Sequence, residues 1–507
     1  MTHTVIVGGG TAGAVLAARL SEDPRHDVTL IEAGSAQDTP DELRDGASLP
    51  AVNPGHWANW GYQGWLQPAT PHVVARGRLL GGSSAINGGY FIRPRAHDFA
   101  RWADMAGPEW SFECALPLLK KMEKDLDYGN QPAHGDSGPI VLRRPAQSGL
   151  LASAFTHGAT ELGFPLEEDK SAQSEVVGVG PVPSNIIDGV RVNAAMAYLH
   201  DARQRPNLNI VGETRVLRVR IENGNAVGVE TDRGVIDADE VVLAAGSIAT
   251  PHLLMLSGVG PMDQLENHGI QVVSNLPVGQ SFSDHPNLSV GWHATRVLHD
   301  PHERSAFPTA LNFDSSGALR HHVDGDLEIL LAAKPMDVLL NPSQASARDL
   351  SGDEYSFLVA LMAPESRGRM TLVSHDPLSQ PRIDYNYLSD DTDTVRMRVG
   401  VRTAARLLQT SAFAPLFGGF ASLSDGILAD DSLLDEWITA HLSTAIHLSG
   451  SAPMGAVVDW QGRVHGVDSL RVADSSMLPT VPSRGTFAVS VFIGEFIAHH
   501  MLHSGSN

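Results

Sequence analysis

A β-branched, apolar run from Thr4 to Val7 breaks into GGGTAG, and a helical stripe follows at Ala14, Leu16, Ala17 and Leu20, ending before Pro24. A second strand is expected from Val28 to Ile31, closing on Glu32. Residues 4–32 therefore read as a βαβ unit. Further along, VVLAAGSIATPHLLMLSGVG (241–260) runs twenty residues without a charge, the length of a membrane span. Gly246, Pro251 and Gly258 punctuate it, and its β-branched start predicts a buried strand followed by a short helix, so an integral membrane protein is not expected. The most basic stretch, RQRPNLNIVGETRVLRVR (203–220), reads as a surface turn feeding a strand.

Length and charge narrow the picture. At 507 residues the chain is too long for one simple core, and two domains are the expectation. The apolar content of 42% and charged content of 19% describe an ordinary globular protein. A net charge of −22, with no cluster of Lys and Arg, argues against a nucleic-acid partner. Cys114 is the only cysteine, which excludes an intrachain disulfide and a cysteine-based metal site. It lies in the amphipathic stretch WSFECALPLLKKMEK and is expected at the core or its boundary. No metal ligand set is expected, the N-terminus carries no secretory pattern, and a cytoplasmic location is the default.

The glycines supply the first chemistry. Gly8, Gly10 and Gly13 fill a G-x-G-x-x-G pattern between strand and helix. Gly8 permits the tight turn, Gly10 lets a pyrophosphate approach, and Gly13 lets helix and strand pack closely. The helix N-terminus, at Thr11 and Ala12, offers free N–H groups to the phosphates. Glu32, nineteen residues after Gly13, stands where a carboxylate accepts hydrogen bonds from a ribose diol. This unit alone does not separate FAD from NAD. A second glycine- and serine-rich loop, RGRLLGGSSAINGGYFIRP (76–94), crowds Arg78, Ser83, Ser84 and Asn87 into a dozen residues. Two such loops favour FAD.

With that loop included, the sequence resembles the glucose–methanol–choline (GMC) family of flavoprotein oxidoreductases nearly end to end. GRLLGGSSAINGGYF looks like the family's first signature and GSIATPHLLMLSGVGP (246–261) its second. VGQSFSDHP (278–286) resembles the V-G-x-N-L-x-D-H turn, with Ser281 and Phe282 in place of Asn-Leu. SRGRMTLVSHDPLSQPRIDYNYLSDDTD (366–393), HLSGSAPMG (447–455) and VHGVDSLRVADSSMLPTVP (464–482) follow in the family's order. The resemblance implies an α/β fold: a Rossmann-like FAD-binding domain built from 1–145, 186–290 and 441–507, interleaved with an α+β substrate-binding domain from 146–185 and 291–440.

The same resemblance assigns residues. His447 occupies the position of the base that takes the hydroxyl proton, a task suited to neutral imidazole; His441 reads as support or surface. Gly8, Gly10, Thr11, Ala12, Gly13 and Glu32 are assigned to the ADP half of FAD. Gly82, Ser84, Asn87 and Gly88 are assigned to the ribityl and isoalloxazine side. Val216 matches the position that pairs with adenine, or is a strand core residue; Asp474 contacts the ribityl–pyrophosphate linker, or caps a helix. The family's second polar residue, His or Asn, falls here on Phe487, so Thr486 or Ser490 supplies the contact, or His447 works alone. Ile86 stands where covalently tethering members carry histidine, so FAD is expected without a covalent bond.

The function implied is oxidation of a CH–OH group. RGRLLGGSSAINGGYF, PAHGDSGPI and the RGTF segment look most like an actinobacterial branch associated with the peptide-derived redox cofactor mycofactocin, whose reduced form it would reoxidise. Choline- and pyridoxine-type alcohol oxidation are the alternatives, with a non-redox lyase on the same scaffold as a third. The substrate is thus a small alcohol or a reduced redox cofactor, and the electron acceptor is oxygen, a quinone or another protein.

Overall fold

Five parallel strands form one sheet of the molecule, in the order Leu208–Val211, His26–Ile31, Thr2–Val7, Glu240–Leu243 and Leu470–Val472. A computed structural model describes residues 2–174, 176–298, 300, 303–315, 324–342 and 353–503. Val7 pairs with Ile31 and Leu243, and Leu243 with Val472, so these strands end level. The segments that follow them meet at one carboxyl edge, where open α/β sheets bind ligands. The helix Thr11–Leu20 buries Ala14, Val15, Leu16, Ala17 and Leu20 against this sheet and its neighbours. The C-terminal helix, Thr486–His503, packs across it: a Cβ on Gly494 would lie 2.7 Å from Val15 Cβ. Fully buried Glu495 joins three helices by accepting from Arg19 and, at 2.8 Å, from Tyr198 Oη.

A second, seven-stranded sheet is mainly antiparallel and gathers strands from across the chain, among them Pro286–Ala294, Glu354–Leu361, Leu327–Leu331 and Thr309–Phe313. Alternation puts Leu288, Val290, Trp292, Ile329, Phe357 and Val359 on one face, in a core shared with the helix Asp391–Leu408. The opposite face presents Asn287, Ser289, Glu328, Leu330, Leu358 and Ala360 to a large cavity. The antiparallel pair Arg369–Thr371 and Arg382–Asp384 joins the first core instead, through Met370 and Ile383.

The uncharged stretch 241–260 is a strand followed by the helix Gly246–Leu256, as its punctuation predicts. Among the described residues no helix is long and apolar enough to cross a membrane. Cys114 corrects an expectation: it is exposed, not at the core or its boundary. In the helix Phe112–Lys121 the buried positions are Ala115 and Leu119, one i,i+4 pair, and Cys114 lies off that stripe.

Candidate active site

A cavity of about 950 Å³ runs between the carboxyl edge of the parallel sheet and the polar face of the antiparallel one. That is near the upper end of the ~300–1,000 Å³ typical of small-molecule sites. The two glycine-rich loops form part of its wall by touching each other. Gly82 has φ +52°, and a Cβ on it would fall 2.7 Å from Gly10 Cα. Gly10 itself faces free space, with nothing nearer than 3.9 Å to a Cβ built there. The helix beginning at Thr11 has no side-chain cap, so its first-turn N–H groups are left to whatever fills the cavity. An extended anionic ligand fits such a cradle.

The residues assigned from the sequence fall into three groups. Gly8, Gly10, Thr11, Ala12, Gly82, Gly88 and Val216 line the cavity as backbone or apolar surface. Glu32, Ser84, Asn87 and Asp474 also line it, but each side chain already makes an internal bond. Glu32 accepts from Gly9 N at 2.9 Å and Gly34 N at 2.7 Å, which leaves each carboxylate oxygen one further lone pair. Ser84 Oγ donates to Gly81 O at 2.6 Å, and Asn87 Oδ1 accepts from Gly89 N at 3.0 Å. Asp474 caps the short helix Ser475–Met477 and also accepts from Gly246 N and Thr250 Oγ1, at 2.9 and 2.6 Å. Burial pushes the Glu32 and Asp474 carboxyls up against these stabilising bonds. Gly13 stands apart: it does not line the cavity, and a Cβ there would lie 2.0 Å from Gly8 O, so its part is helix packing.

His447 is held on a short, strained turn. Ile446, β-branched, sits at φ +66°, a conformation costing about 1–3 kcal/mol. Thr444 Oγ1 accepts from its N–H at 2.9 Å, and Arg76 donates to its carbonyl at 2.9 Å. Asp284 accepts from the His447 N–H at 2.7 Å, from His285 N–H at 2.8 Å and from Thr444 Oγ1 at 2.8 Å.

The ring is oriented by a second histidine. His285 Nδ1 and His447 Nδ1 are 2.9 Å apart with the rings at 84°, so one proton lies between them. His285 is fully buried, and the carbonyls of Pro482 and Met362 are the acceptors beside its ring. Its Nδ1 is taken up by His447, and among the described residues its Nε2 closes no hydrogen bond. Carbonyls only accept, so these neighbours favour the tautomer that carries its proton on His285 Nε2. His447 Nδ1–H then donates to His285 Nδ1, and His447 Nε2 keeps a free lone pair. Burial, and then the Arg76 guanidinium, bring His447 down to about 3. Burial, and then His447, take His285 well below its usual value. Both rings are neutral through the ordinary pH range.

Around His447 Nε2 the chamber is open because Gly485 has no side chain: a Cβ there would lie 3.6 Å from Nε2. Phe487 lines this end and meets Phe91 edge-to-face at 5.0 Å. Thr486 and Ser490 line the cavity too, but Ser490 Oγ donates to Thr486 O at 2.8 Å. His441 lies at the end of the helix Asp431–His441, stacked on Trp437 at 4.1 Å. Sequence reasoning missed His285, Asp284, Arg76, Tyr90 and Glu328. The first four stand inside quoted motifs, and Glu328 is the one charge in the strand sequence LEILL.

Models of GMC oxidoreductase match residues 2–287 and residues 364–494. An uncharacterized GMC-type oxidoreductase in the thcA 5′ region of Rhodococcus erythropolis is 38% identical, covering 97% of this chain and 96% of the relative. The oxygen-dependent choline dehydrogenase of Brucella anthropi is 33% identical over 98% and 95% of the two chains. Among solved structures, pyridoxine 4-oxidase from Mesorbium loti superposes with a TM-score of 0.89 at 30% identity, over 99% of each chain.

Proposed function

The chain belongs to the GMC oxidoreductase family, and we propose that it is an FAD-dependent enzyme that oxidises the CH–OH group of an alcohol to a carbonyl. What supports this reading most is His447, which lines the cavity that the glycine loops also line and whose Nδ1 lies 2.9 Å from His285 Nδ1, so that Nε2 is the nitrogen left for a substrate. FAD supplies the acceptor for the hydride that leaves the carbinol carbon. His447 Nε2 accepts the hydroxyl proton, and His285 keeps the imidazole turned toward it. Leu330, Leu358, Ala360, Met362 and Phe487 keep the surrounding wall apolar and limit water at the reacting atoms. The turns at Gly8–Ala12, Glu32, Gly82–Gly88, Val216 and Asp474 are the residues that would hold the cofactor. The division into a nucleotide part (1–145, 186–290, 441–507) and a substrate part (146–185, 291–440) belongs to the same proposal. The cavity lying between two sheets supports a two-part division, while the strand Pro286–Ala294 crosses the 290/291 boundary and the pair Arg369–Thr371 and Arg382–Asp384 packs with the first core.

Within this reading the substrate is a reduced redox cofactor of the mycofactocin type. The glycine–serine loop, PAHGDSGPI and the RGTF segment support it, because Phe487 removes the second His or Asn that simpler alcohol oxidation would use. Anaerobic mixing of the FAD-loaded protein with a panel of alcohols and with the reduced cofactor tests both levels. Bleaching by the reduced cofactor alone supports the finer one. No bleaching by any donor sinks the oxidoreductase reading and leaves the lyase.

Two properties of the cofactor site follow. Glu32→Ala removes a carboxylate that ties Gly9 and Gly34 and faces the ligand. Charge-assisted bonds of about 1.5–3 kcal/mol predict FAD retention weakened by about 10–100-fold. Flavin content after gel filtration measures it, and normal occupancy would contradict the placement. The FAD should also be held without a covalent bond. Ile86 lines the cavity with an aliphatic side chain, and Cys114 is exposed on a helix that contributes nothing to the lining. Acid precipitation should therefore release all the yellow colour; colour that stays with a washed pellet would show a covalent link.

A further inference from the structure

The substrate end of the cavity holds a pair, half-buried Tyr90 and buried Glu328, that neither the cofactor cradle nor His447 employs. Tyr90 Oη donates to Glu328 Oε2 at 2.8 Å, and Asn312 Nδ2 donates to the same oxygen at 3.0 Å. Among the described residues no hydrogen bond engages Glu328 Oε1, and the carboxylate lines the cavity. The pair stands beside the reacting position. A Cβ on Gly485 would lie 2.8 Å from the Tyr90 ring and 3.6 Å from His447 Nε2. Glu328 and Asn287 both pair with Ala360, placing this carboxylate two strands from the one that His285 leads into.

Resting on the alcohol-oxidation reading above, we infer that Tyr90 and Glu328 recognise a second, neutral hydrogen-bond donor on the substrate, a hydroxyl or an amide N–H. The pair accepts because it has nothing left to donate: the phenolic proton is committed to Glu328, and a carboxylate offers only lone pairs. The donor is neutral because the charges behind the pair already balance. Lys170, fully buried, donates to Asn312 Oδ1 at 3.0 Å and to Glu167 Oε2 at 2.8 Å. Arg95 lies 3.8 Å from Glu167, and buried Arg484 acts electrostatically on the Tyr90 site. Arg95 also faces Asp98 and Asp324, and Arg101 pairs with Asp98 at 2.7 Å, so four cations meet the four carboxylates Glu167, Glu328, Asp98 and Asp324, and an ammonium ligand would add an uncompensated buried charge. An alcohol without a second donor would leave the Glu328 oxygen facing an apolar wall, and that penalty is the basis of selection.

Tertiary alcohols test the recognition without the reaction, because they carry no carbinol hydrogen. The FAD-loaded protein is titrated with pinacol, with its monomethyl ether and with protonated 1-amino-2-methyl-2-propanol, following the flavin absorption. Pinacol is expected to bind about tenfold or more tightly than the ether, which accepts but has lost the second donor. In Glu328→Gln the amide oxygen must stay with its Tyr90 and Asn312 donors, turning the NH₂ to the cavity. The diol and the ether should then bind within about threefold of each other, since the remaining bond is neutral. Equal binding in the unsubstituted protein, an unchanged preference in Glu328→Gln, or tightest binding of the ammonium compound would each overturn the assignment. The first comparison needs no variant to fold. A donor-selective site in a protein whose flavin no oxidisable alcohol bleaches would fault the redox reading and leave the recognition pair standing.

Discussion

His447→Ala is expected to slow anaerobic flavin reduction by about 10²–10⁴-fold, the scale of a lost general base, while flavin content stays normal. Removing the ring leaves the backbone N–H of residue 447 on Asp284, so the turn that carries it keeps its anchor. His285→Ala should give a smaller loss, because His447 Nε2 remains but its tautomer is no longer imposed. The pH profile separates base from scaffold. A base is active when unprotonated, and His447 is brought down to about 3 by burial and Arg76. The rate of reduction should therefore be flat across neutral pH and fall only as the pH drops toward 3, with no inflection near the ordinary histidine value of about 6.5. Stopped-flow reduction of the FAD-loaded protein reads all three. A His447→Ala enzyme reduced at the unsubstituted rate would remove this residue from the chemistry.

What the sequence disclosed is what local geometry encodes. The strand–turn–helix at 4–32 was legible because three glycines and a helical stripe act within a few residues of one another. The second loop was legible because hydrogen-bonding side chains crowd a short segment. Contacts across the chain were not. His285 and His447 are separated by 162 positions, and nothing in SDHP or HLSG reports that their Nδ1 atoms meet. Glu328 is a carboxylate in an apolar strand, a local conflict that periodicity alone would count as noise, yet it faces the cavity. The sheet that displays it pairs Thr309–Phe313 with Val179–Pro181, a juxtaposition that no window of sequence contains. The miss at Cys114 is of another kind. An amphipathic pattern announces a buried face, but a neighbour 100° around the helix is left to the packing of the next layer.

The last large effect lies beneath the glycine–serine loop. Glu123, Asp125 and His134 stand close enough together to suggest a cation site, but their charges are already met. His134 Nδ1 lies 3.1 Å from both Glu123 and Asp125, and Nε2 lies 2.8 Å from Asp169. Facing carboxylates through both nitrogens requires both to carry protons, so the ring is an imidazolium. Burial opposes that charge, but bonds to Asp125, Asp169 and Glu123 raise the ring to about 10. Arg93 and Arg144 complete the network at 2.6 Å from Glu123 and 2.8 Å from Asp125, leaving no vacancy for a metal. Arg93 belongs to the stretch that carries Asn87 and Tyr90, so the network also fixes the cavity wall. Removing one partner of a buried ionic cluster costs about 3–5 kcal/mol, and His134→Ala should lower stability on that scale. Because the folded-state value is raised, the contribution is complete below about 6.5 and is lost as pH rises through about 10. Denaturant melts of His134→Ala and the unsubstituted protein should therefore differ most near pH 6, less as the pH rises, and converge above pH 10, with chelators changing neither. A gap that persists undiminished at high pH, or one that EDTA reproduces, would mean that the cluster is not held by a protonated histidine.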